Sequence, residues 1–335
     1  RLVRREMRVE QEPRPGAPRE VLAEILAPHG LRAVDSTGGR LVVVRAPAPR
    51  RDSPRPEIAV AEAVEAAWGP CEGLVITRYG YERPCKGIEI ASAAHPVPDA
   101  AGLAATARML ALLESLGEGD FVLALISGGA SALLVAPCAG VSLAEKQAVN
   151  AALLASGAPI DKMNTVRKHL SRVKGGQLAA AAYPARMLTL LMSDVPGDDP
   201  AMIGSGPTVA EPSSPADARA ILDHWHIAVP PAVTTALQRG STVIAPNDLR
   251  LSRVQNQLYA APIQSLQAAA DLARAAGCEV RLLGDAVEGE AREVARAQAT
   301  EALRIKATMP AGAAPVLLLS GGEVTVTRSG DGIGG

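Results

Sequence analysis

The stretch LALISGGASALLVAP, residues 123–137, is an apolar run that halts at Ser127, Gly128, Gly129 and Ser131 before apolar residues resume. Its first half reads as the end of a strand over 121–126. The same short apolar pattern recurs at 41–44, 73–77, 187–192, 242–245, 279–283 and 316–320. Longer Ala-rich segments of helical character separate these runs, and the alternation predicts an α/β fold. Helix starts are marked by Asp99, by Ser142 with Glu145 three residues on, and by Ser214 before Pro215, while Gly157 closes a helix.

A strand that ends in Ser-Gly-Gly leaves unobstructed backbone N–H groups at the carboxyl edge of a sheet. Without a Cβ the glycines let an anion approach the main chain, and a helix beginning near Ser131 aims its positive end at the same point. A plain strand-to-helix turn would account for one such stretch. The echo of LALISGG (123–129) in LLLSGGE (317–323) shifts the reading toward phosphate binding at both.

Composition limits the partners. The 335 residues carry a formal net charge of -1 and only 2% aromatics, which gives neither a bulk attraction to nucleic acid or an anionic membrane nor much surface for base stacking. The length suits two domains. Cys71, Cys85, Cys138 and Cys278 form no C-x-x-C pair and suggest neither a disulfide framework nor a zinc site, so a reducing cytoplasm is expected. No apolar stretch reaches the roughly 18 residues of a membrane span. The N-terminus lacks the apolar core of a signal peptide, and the missing initiator Met places the expected start upstream.

Two breaks organise the chain. Residues 46–56, APAPRRDSPRP, follow the first predicted strand as an aperiodic loop, and Pro230, Pro231 and Gly240 interrupt helical patterning over 227–241. The second break sets the expected domains at 1–235 and 236–335.

Further motifs bear on chemistry. In NTVRKHLSRVKGG (164–176), Met163, Val166, Leu170 and Val173 recur at helical spacing, which predicts a cationic ridge of Asn164, Arg167, Ser171 and Lys174 on the opposite face. Arg167 offers a bidentate fork to an anion and Lys174 a point charge; a solvated basic face is the simpler alternative. LTLLMSDVPGDDPAMIGSGPT (188–208) runs from a strand into Ser193, Asp194, Asp198 and Asp199, where a carboxylate can hold a metal or accept a substrate proton. Asp199 also suits an ordinary polar turn. His95, in AAHPVP, reads as part of a rigid loop near the site, and the acidic Glu288 and Glu290 as the first turn of a helix. The chain has no Gly-Lys dipeptide, hence no Walker A loop, and no H-E-x-x-H helix. GDGIGG (330–335) matches G-x-G-x-x-G spacing but has no helix after it within the chain, and no early strand-to-helix turn carries the pattern.

Taken in order, His95-Pro96-Val97-Pro98-Asp99, Ser127-Gly128-Gly129 with Ser131, Asn164 through Ser171, Lys174-Gly175-Gly176, Ser193-Asp194-Val195 with Gly197-Asp198, Ser205-Gly206-Pro207-Thr208 and Ser320-Gly321-Gly322-Glu323 closely resemble the glycerate 2-kinase family. These are bacterial class II glycerate kinases, often named hydroxypyruvate reductase. The resemblance covers roughly residues 70–335. It implies a larger Rossmann-like N-terminal domain, a smaller α/β C-terminal domain, and an active site in the cleft between them. The implied reaction moves the γ-phosphoryl of ATP to the 2-hydroxyl of D-glycerate with Mg2+.

On that resemblance Arg167, Lys174 and Asp194 are the expected catalytic residues. Ser127, Gly128, Gly129, Ser131, Ser205, Gly206, Thr208, Gly321, Gly322 and Glu323 would bind nucleotide or phosphate, and Asp194 with Asp198 the magnesium. The expected partners are a small 2-hydroxy acid and a second copy in a homodimer, with no nucleic acid and no membrane. Two departures stand out. The family follows its first strand with a turn containing Gly-Lys, whose lysine is thought to contribute to catalysis, whereas 41–44 here runs into Arg45 and APAPRRDS, with Arg45, Arg50 and Arg51 as the nearest cations. The family pattern also continues beyond the last Gly-Gly, which implies a C-terminal domain longer than 236–335. The alternatives are an NAD(P)H-dependent hydroxypyruvate reductase and a catalytically impaired relative that only binds nucleotide or a small organic acid.

Overall fold

The computed structural model describes residues 40–44, 56–310 and 312–326. Arg45, Arg50 and Arg51, all of the 46–56 loop except Pro56, and the GDGIGG stretch lie outside the described residues. The first part of the chain runs β1 (Arg40–Val44), α1 (Pro56–Trp68), β2 (Glu72–Arg78), β3 (Ile88–Ala93), α2 (Ala100–Glu114), β4 (Phe121–Ile126), α3 (Ala130–Leu133), α4 (Leu143–Ala155), α5 (Ile160–His169), α6 (Gln177–Ala181) and β5 (Arg186–Met192). It continues through α7 (Pro215–His224), α8 (Pro231–Arg239), β6 (Val254–Ala260), α9 (Pro262–Ala275), β7 (Glu279–Leu282), β8 (Val287–Glu290), α10 (Ala291–Thr308), β9 (Val316–Leu319) and β10 (Gly322–Thr325).

The fold is mixed α/β with parallel sheets. Six strands form one sheet in the order β3-β2-β1-β4-β5-β6. The pairs β3–β2, β2–β1, β1–β4 and β4–β5 are all parallel. Such strands are covered on both faces, so they read as unbroken apolar runs. β4 shows this well, because Val122 through Ile126 are all buried. Strand order reverses between β1 and β4, and in open α/β sheets the crevice outside the carboxyl ends at such a reversal is where ligands bind.

The helices start where the sequence signals predict. Asp99 Oδ1 accepts from the Gly102 N–H at 2.8 Å to cap α2. Ser142 with Glu145 and Ser214 with Asp217 form reciprocal capping boxes on α4 and α7. Helices α4, α5, α7 and α8 bury a common apolar cluster that includes Val149, Leu153, Val166, Leu222, Val233 and Leu237. Truncating any of its leucines to Ala should cost about 2–5 kcal/mol.

The chain forms two compact units. One takes the described residues through Met192 together with Pro200–Gln257, and the other takes Ser193–Asp199 together with the described residues from Leu258 onward. A division at 235/236 would cut α8, whose Val233 and Leu237 both belong to the cluster of the first unit. Within the second unit β7 pairs with β9 and β8 with β10, both parallel.

Several expectations are corrected. Residues 242–245 are not a strand: Ile244 exchanges single hydrogen bonds with Gly175 O and the Glu211 N–H, so its extended backbone is fixed by a turn and a loop. β3, β6, β8 and β10 were not anticipated. Glu288 lies in β8 and Glu290 precedes α10, so neither belongs to a first helical turn. The predicted ridge is also absent, because α5 ends at His169. The chain then pairs with the segment after β4, through Cys138 N–H to Leu170 O, Arg172 N–H to Ala136 O and a bridge between Pro137 and Ser171.

Candidate active site

After Ile126 the chain turns through Ser127, Gly128 and Gly129 into the single turn of α3. Gly129 has φ 67°, a left-handed conformation that glycine adopts without a Cβ penalty. Among the described residues nothing accepts a hydrogen bond from the Gly128 or Gly129 N–H. Gly128 is buried and Gly129 and Ser131 are half-buried, so among the described residues this carboxyl-edge loop keeps unpaired backbone donors, with Gly129 within reach of a ligand.

Ser131 is held by two other segments. Its hydroxyl lies 2.9 Å from Ser205 Oγ, and its carbonyl accepts from Lys174 Nζ at 2.9 Å. The Lys174 amine also donates to Ser131 Oγ at 3.2 Å, Leu134 O at 3.4 Å and Gly204 O at 3.5 Å. Lys174 is only 1% exposed. Burial first, then the charges of Lys146, Arg167 and Lys168, push its pKa well below the usual lysine range. It therefore works as an internal donor tying the loop after β4 to the 204–206 turn, and does not present a charge on a helix face.

That turn is unusual. Gly204, Ser205 and Gly206 all have positive φ, at 59°, 63° and 61°. For a serine this conformation costs about 1–2 kcal/mol. Neighbouring bonds hold it: the Gly175 N–H donates to Ser205 O at 3.2 Å and the Gly176 N–H to Gly206 O at 2.8 Å. The glycine pair is required by close packing, since a Cβ at position 176 would come within 2.9 Å of Ile244 Cβ. Ser205 Oγ also lies 3.4 Å from Asn164 Oδ1, to which Arg167 Nη1 donates at 3.4 Å.

Arg167 closes the constellation. Its Nε is buried without a partner, and among the described residues it forms no ion pair. Desolvation lowers its pKa, with no carboxylate among the described residues to oppose it. Lys168 contrasts with it, forming a nearly buried pair with Glu211 at 2.5 Å. Desolvation raises the Glu211 carboxyl, but its bonds to Lys168 and Ser213 outweigh this and hold it below the usual range. Lys146 donates to Leu170 O at 2.9 Å, and burial lowers its pKa to about 8. Lys146, Arg167, Lys168 and Lys174 thus gather in one region with Glu211 as their acidic counterweight, an excess of cationic groups that an anion would relieve.

The remaining expected residues separate from this group. Thr208 is buried and paired reciprocally with Asn256, Oγ1 to Oδ1 at 2.6 Å and Nδ2 to O at 3.0 Å. The second Ser-Gly-Gly is spent on the fold. The Gly321 N–H donates to Gly284 O at 2.9 Å, and Gly322 sits so close to β8 that a Cβ there would lie 2.3 Å from Val287 O. The echo of the first loop therefore does not extend to free amides.

Asp194, Asp198 and Glu323 belong to the second unit. Desolvation, with the nearby charge of Glu323, raises the Asp194 pKa against an opposing hydrogen bond from its own N–H. Asp198 adopts φ 54° and its Oδ1 is buried without a partner. Among the described residues no three His, Cys, Asp or Glu side chains gather as a metal site. Magnesium commonly uses one or two carboxylates and takes its other ligands from water and phosphate, so the orphaned Asp198 oxygen fits such an ion. His95, which follows β3, has its pKa lowered by burial and then by the Arg78 charge.

Several known proteins are similar to this chain. The family model described as a domain of unknown function, DUF4147, matches residues 57–238. A protein of Agrobacterium vitis named putative hydroxypyruvate reductase is 48% identical over 86% of this chain and 64% of its own length. The D-glycerate 2-kinase of Thermotoga maritima is 38% identical over 79% of this chain and 62% of its own. The chain thus spans slightly less than two thirds of either relative. A crystal structure of glycerate kinase from Thermotoga maritima superposes with a TM-score of 0.78 at 34% identity, covering 95% of this chain and 73% of that one. With a family model over more than half of its length and relatives of this similarity, the chain belongs to the glycerate 2-kinase family.

Proposed function

We propose that the protein transfers the γ-phosphoryl group of ATP to the 2-hydroxyl of D-glycerate, yielding 2-phosphoglycerate and ADP. The observation that carries this reading is Arg167, a largely buried guanidinium with no acidic partner among the described residues, standing in a cluster of basic side chains and linked through Asn164, Ser205 and Ser131 to the loop that holds Gly128 and Gly129. A buried cation that lacks its counter-ion calls for an anionic ligand. On this reading the first unit is Rossmann-like.

In the transfer, the substrate O2–phosphorus bond forms as the bond from phosphorus to the β,γ-bridging oxygen breaks, and the hydroxyl proton leaves to a base. Asp194 suits that role, since a carboxylate of raised proton affinity is a better acceptor. Arg167 offsets charge on the transferring group or on the glycerate carboxylate, and the Gly128 and Gly129 amides hold phosphate oxygens. Lys174 contributes by keeping Ser131 and the strained 204–206 turn in register. Magnesium, with Asp198 as its protein ligand, would neutralise phosphate charge.

The name hydroxypyruvate reductase borne by the Agrobacterium relative supplies the competing reading. A glycine-rich dinucleotide turn would be its mark, and β4 leads instead into Ser-Gly-Gly-Ala-Ser. Release of ADP that depends on D-glycerate supports the kinase. Oxidation of NADH or NADPH on adding hydroxypyruvate, without such ADP release, overturns it.

A further inference from the structure

Two of the chain's four tyrosines fall together in TRYGYER, residues 77–83, where β2 ends. Tyr79 is 54% exposed. It is nevertheless fixed: its hydroxyl donates to Asp99 Oδ2 at 2.7 Å, and Asp99 is anchored in turn as the cap of α2. The Tyr79 N–H donates to Ala93 O at 3.3 Å, which binds the turn to the end of β3. Next to it the Arg78 guanidinium lies 3.8 Å from the centroid of the Tyr81 ring and donates to the Tyr81 hydroxyl. A lone exposed aromatic is ordinary. A rigid one, in a chain so poor in aromatics and on the ligand-binding edge of a parallel sheet, is a preformed stacking surface.

The register fixes the backbone spacing between the end of β2 and the phosphate loop. Val43 of β1 faces Val75 of β2 on one side and Leu125 of β4 on the other. Arg78 and Ser127 therefore emerge at levels that differ by about one residue, two strand spacings apart, which is about 10 Å. A ribose and triphosphate span that gap.

We propose that the adenine base of ATP stacks on Tyr79 while its phosphates reach the Gly128–Gly129 loop. The proposal rests on the reading of that loop as phosphate-binding and adds the part of the site that reads the base. Aromatic rings accept any base face, so affinity comes from stacking, and the Arg78–Tyr81 pair stiffens the turn that holds the ring.

Calorimetry with ATP and with inorganic tripolyphosphate, on wild type, Tyr79→Ala and Tyr79→Phe, tests this. ATP should bind wild type more tightly than tripolyphosphate does. Tyr79→Ala should weaken ATP by about tenfold or more while leaving tripolyphosphate unchanged, and Tyr79→Phe should keep most of the ATP affinity. Unchanged ATP binding in Tyr79→Ala, an equal loss for both ligands, or equal wild-type affinity for both, would overturn the adenine site and leave the phosphate loop standing. A wild-type protein that binds neither ligand would overturn the phosphate reading as well.

Discussion

Lys174 Nζ lies 2.9 Å from the carbonyl oxygen of Ser131, and through it a turn that follows α5 is tied to the loop that follows β4. The partners of this amine are all oxygens: the hydroxyl of Ser131 and the carbonyls of Ser131, Leu134 and Gly204. Lys174→Met keeps the length and removes the donor. Leaving those buried acceptors unpaired should cost about 1–3 kcal/mol, read as a fall of several degrees in the melting temperature together with a loss of kcat. A variant with unchanged stability and lowered kcat alone would return Lys174 to a direct catalytic role.

Arg167 should respond to substitution in another way. Its guanidinium is planar and only partly engaged, through Nη1 on Asn164. Arg167→Lys should therefore be non-conservative and lose on the order of 2 kcal/mol or more of binding or transition-state stabilisation. Steady-state kinetics with ATP and D-glycerate check this, and wild-type values in a folded variant would make the basic end of α5 a merely structural feature.

The glycine loop gives a graded test. Gly128 is buried and is not among the positive-φ glycines, whereas Gly129 has φ 67°. Gly128→Ala should weaken ATP binding by crowding the amides without the strain of a positive φ. Gly129→Ala should add a strain of about 1–2 kcal/mol. Thermal melting alongside calorimetry separates the two effects.

How much of this was legible in the sequence differs from element to element. β4 was readable to the residue because a central parallel strand is continuously apolar, and the caps at Asp99, Ser142 and Ser214 were readable because capping is local chemistry. β6, VQNQLYA, escaped because a strand with half-exposed polar residues carries no apolar run. The helix through Lys174 was overextended for a different reason. The period of Met163, Val166, Leu170 and Val173 continues past His169, but pairing of Ser171 with Pro137 stops the helix, and tertiary contacts of that kind leave no local mark. The meeting of Ser131 with Ser205, 74 residues away, is equally invisible locally. The nearest available signals were the Gly-Ser-Gly triplet at 204–206 and the crowding of Tyr79 and Tyr81 at the end of β2.

Lys146 makes a prediction about pH. Its pKa falls from 10.5 in the unfolded chain to about 8 in the fold, so between those values the unfolded state binds more protons and stability rises with pH. The rise attributable to this lysine is on the order of 3 kcal/mol. Cys71 and Cys85, both raised to about 11, act in the opposite sense above pH 9 because the fold keeps their protons. The difference in unfolding free energy between wild type and Lys146→Met isolates the lysine. Wild type should gain on the variant from pH 8 to pH 10, and a constant difference would contradict the burial argument.

Asp194 gives the acid side of the activity profile. A base whose pKa is raised by desolvation loses its ionised form at a higher pH than an ordinary aspartate. The fall of kcat/KM on acidification should therefore set in above the usual carboxylate range, and Asp194→Asn should abolish turnover while leaving ATP bound. An unaltered profile in Asp194→Asn would assign the proton to another group.

Phosphorus NMR of the reaction mixture tests the central claim most directly. With ATP, Mg2+ and D-glycerate the protein should generate a phosphomonoester resonance at the position of authentic 2-phosphoglycerate as the γ-phosphoryl signal declines, and Arg167→Ala should suppress both changes. Loss of the γ-phosphoryl signal to inorganic phosphate alone, or no change with wild-type protein while hydroxypyruvate is reduced at the expense of NADH, would contradict the account.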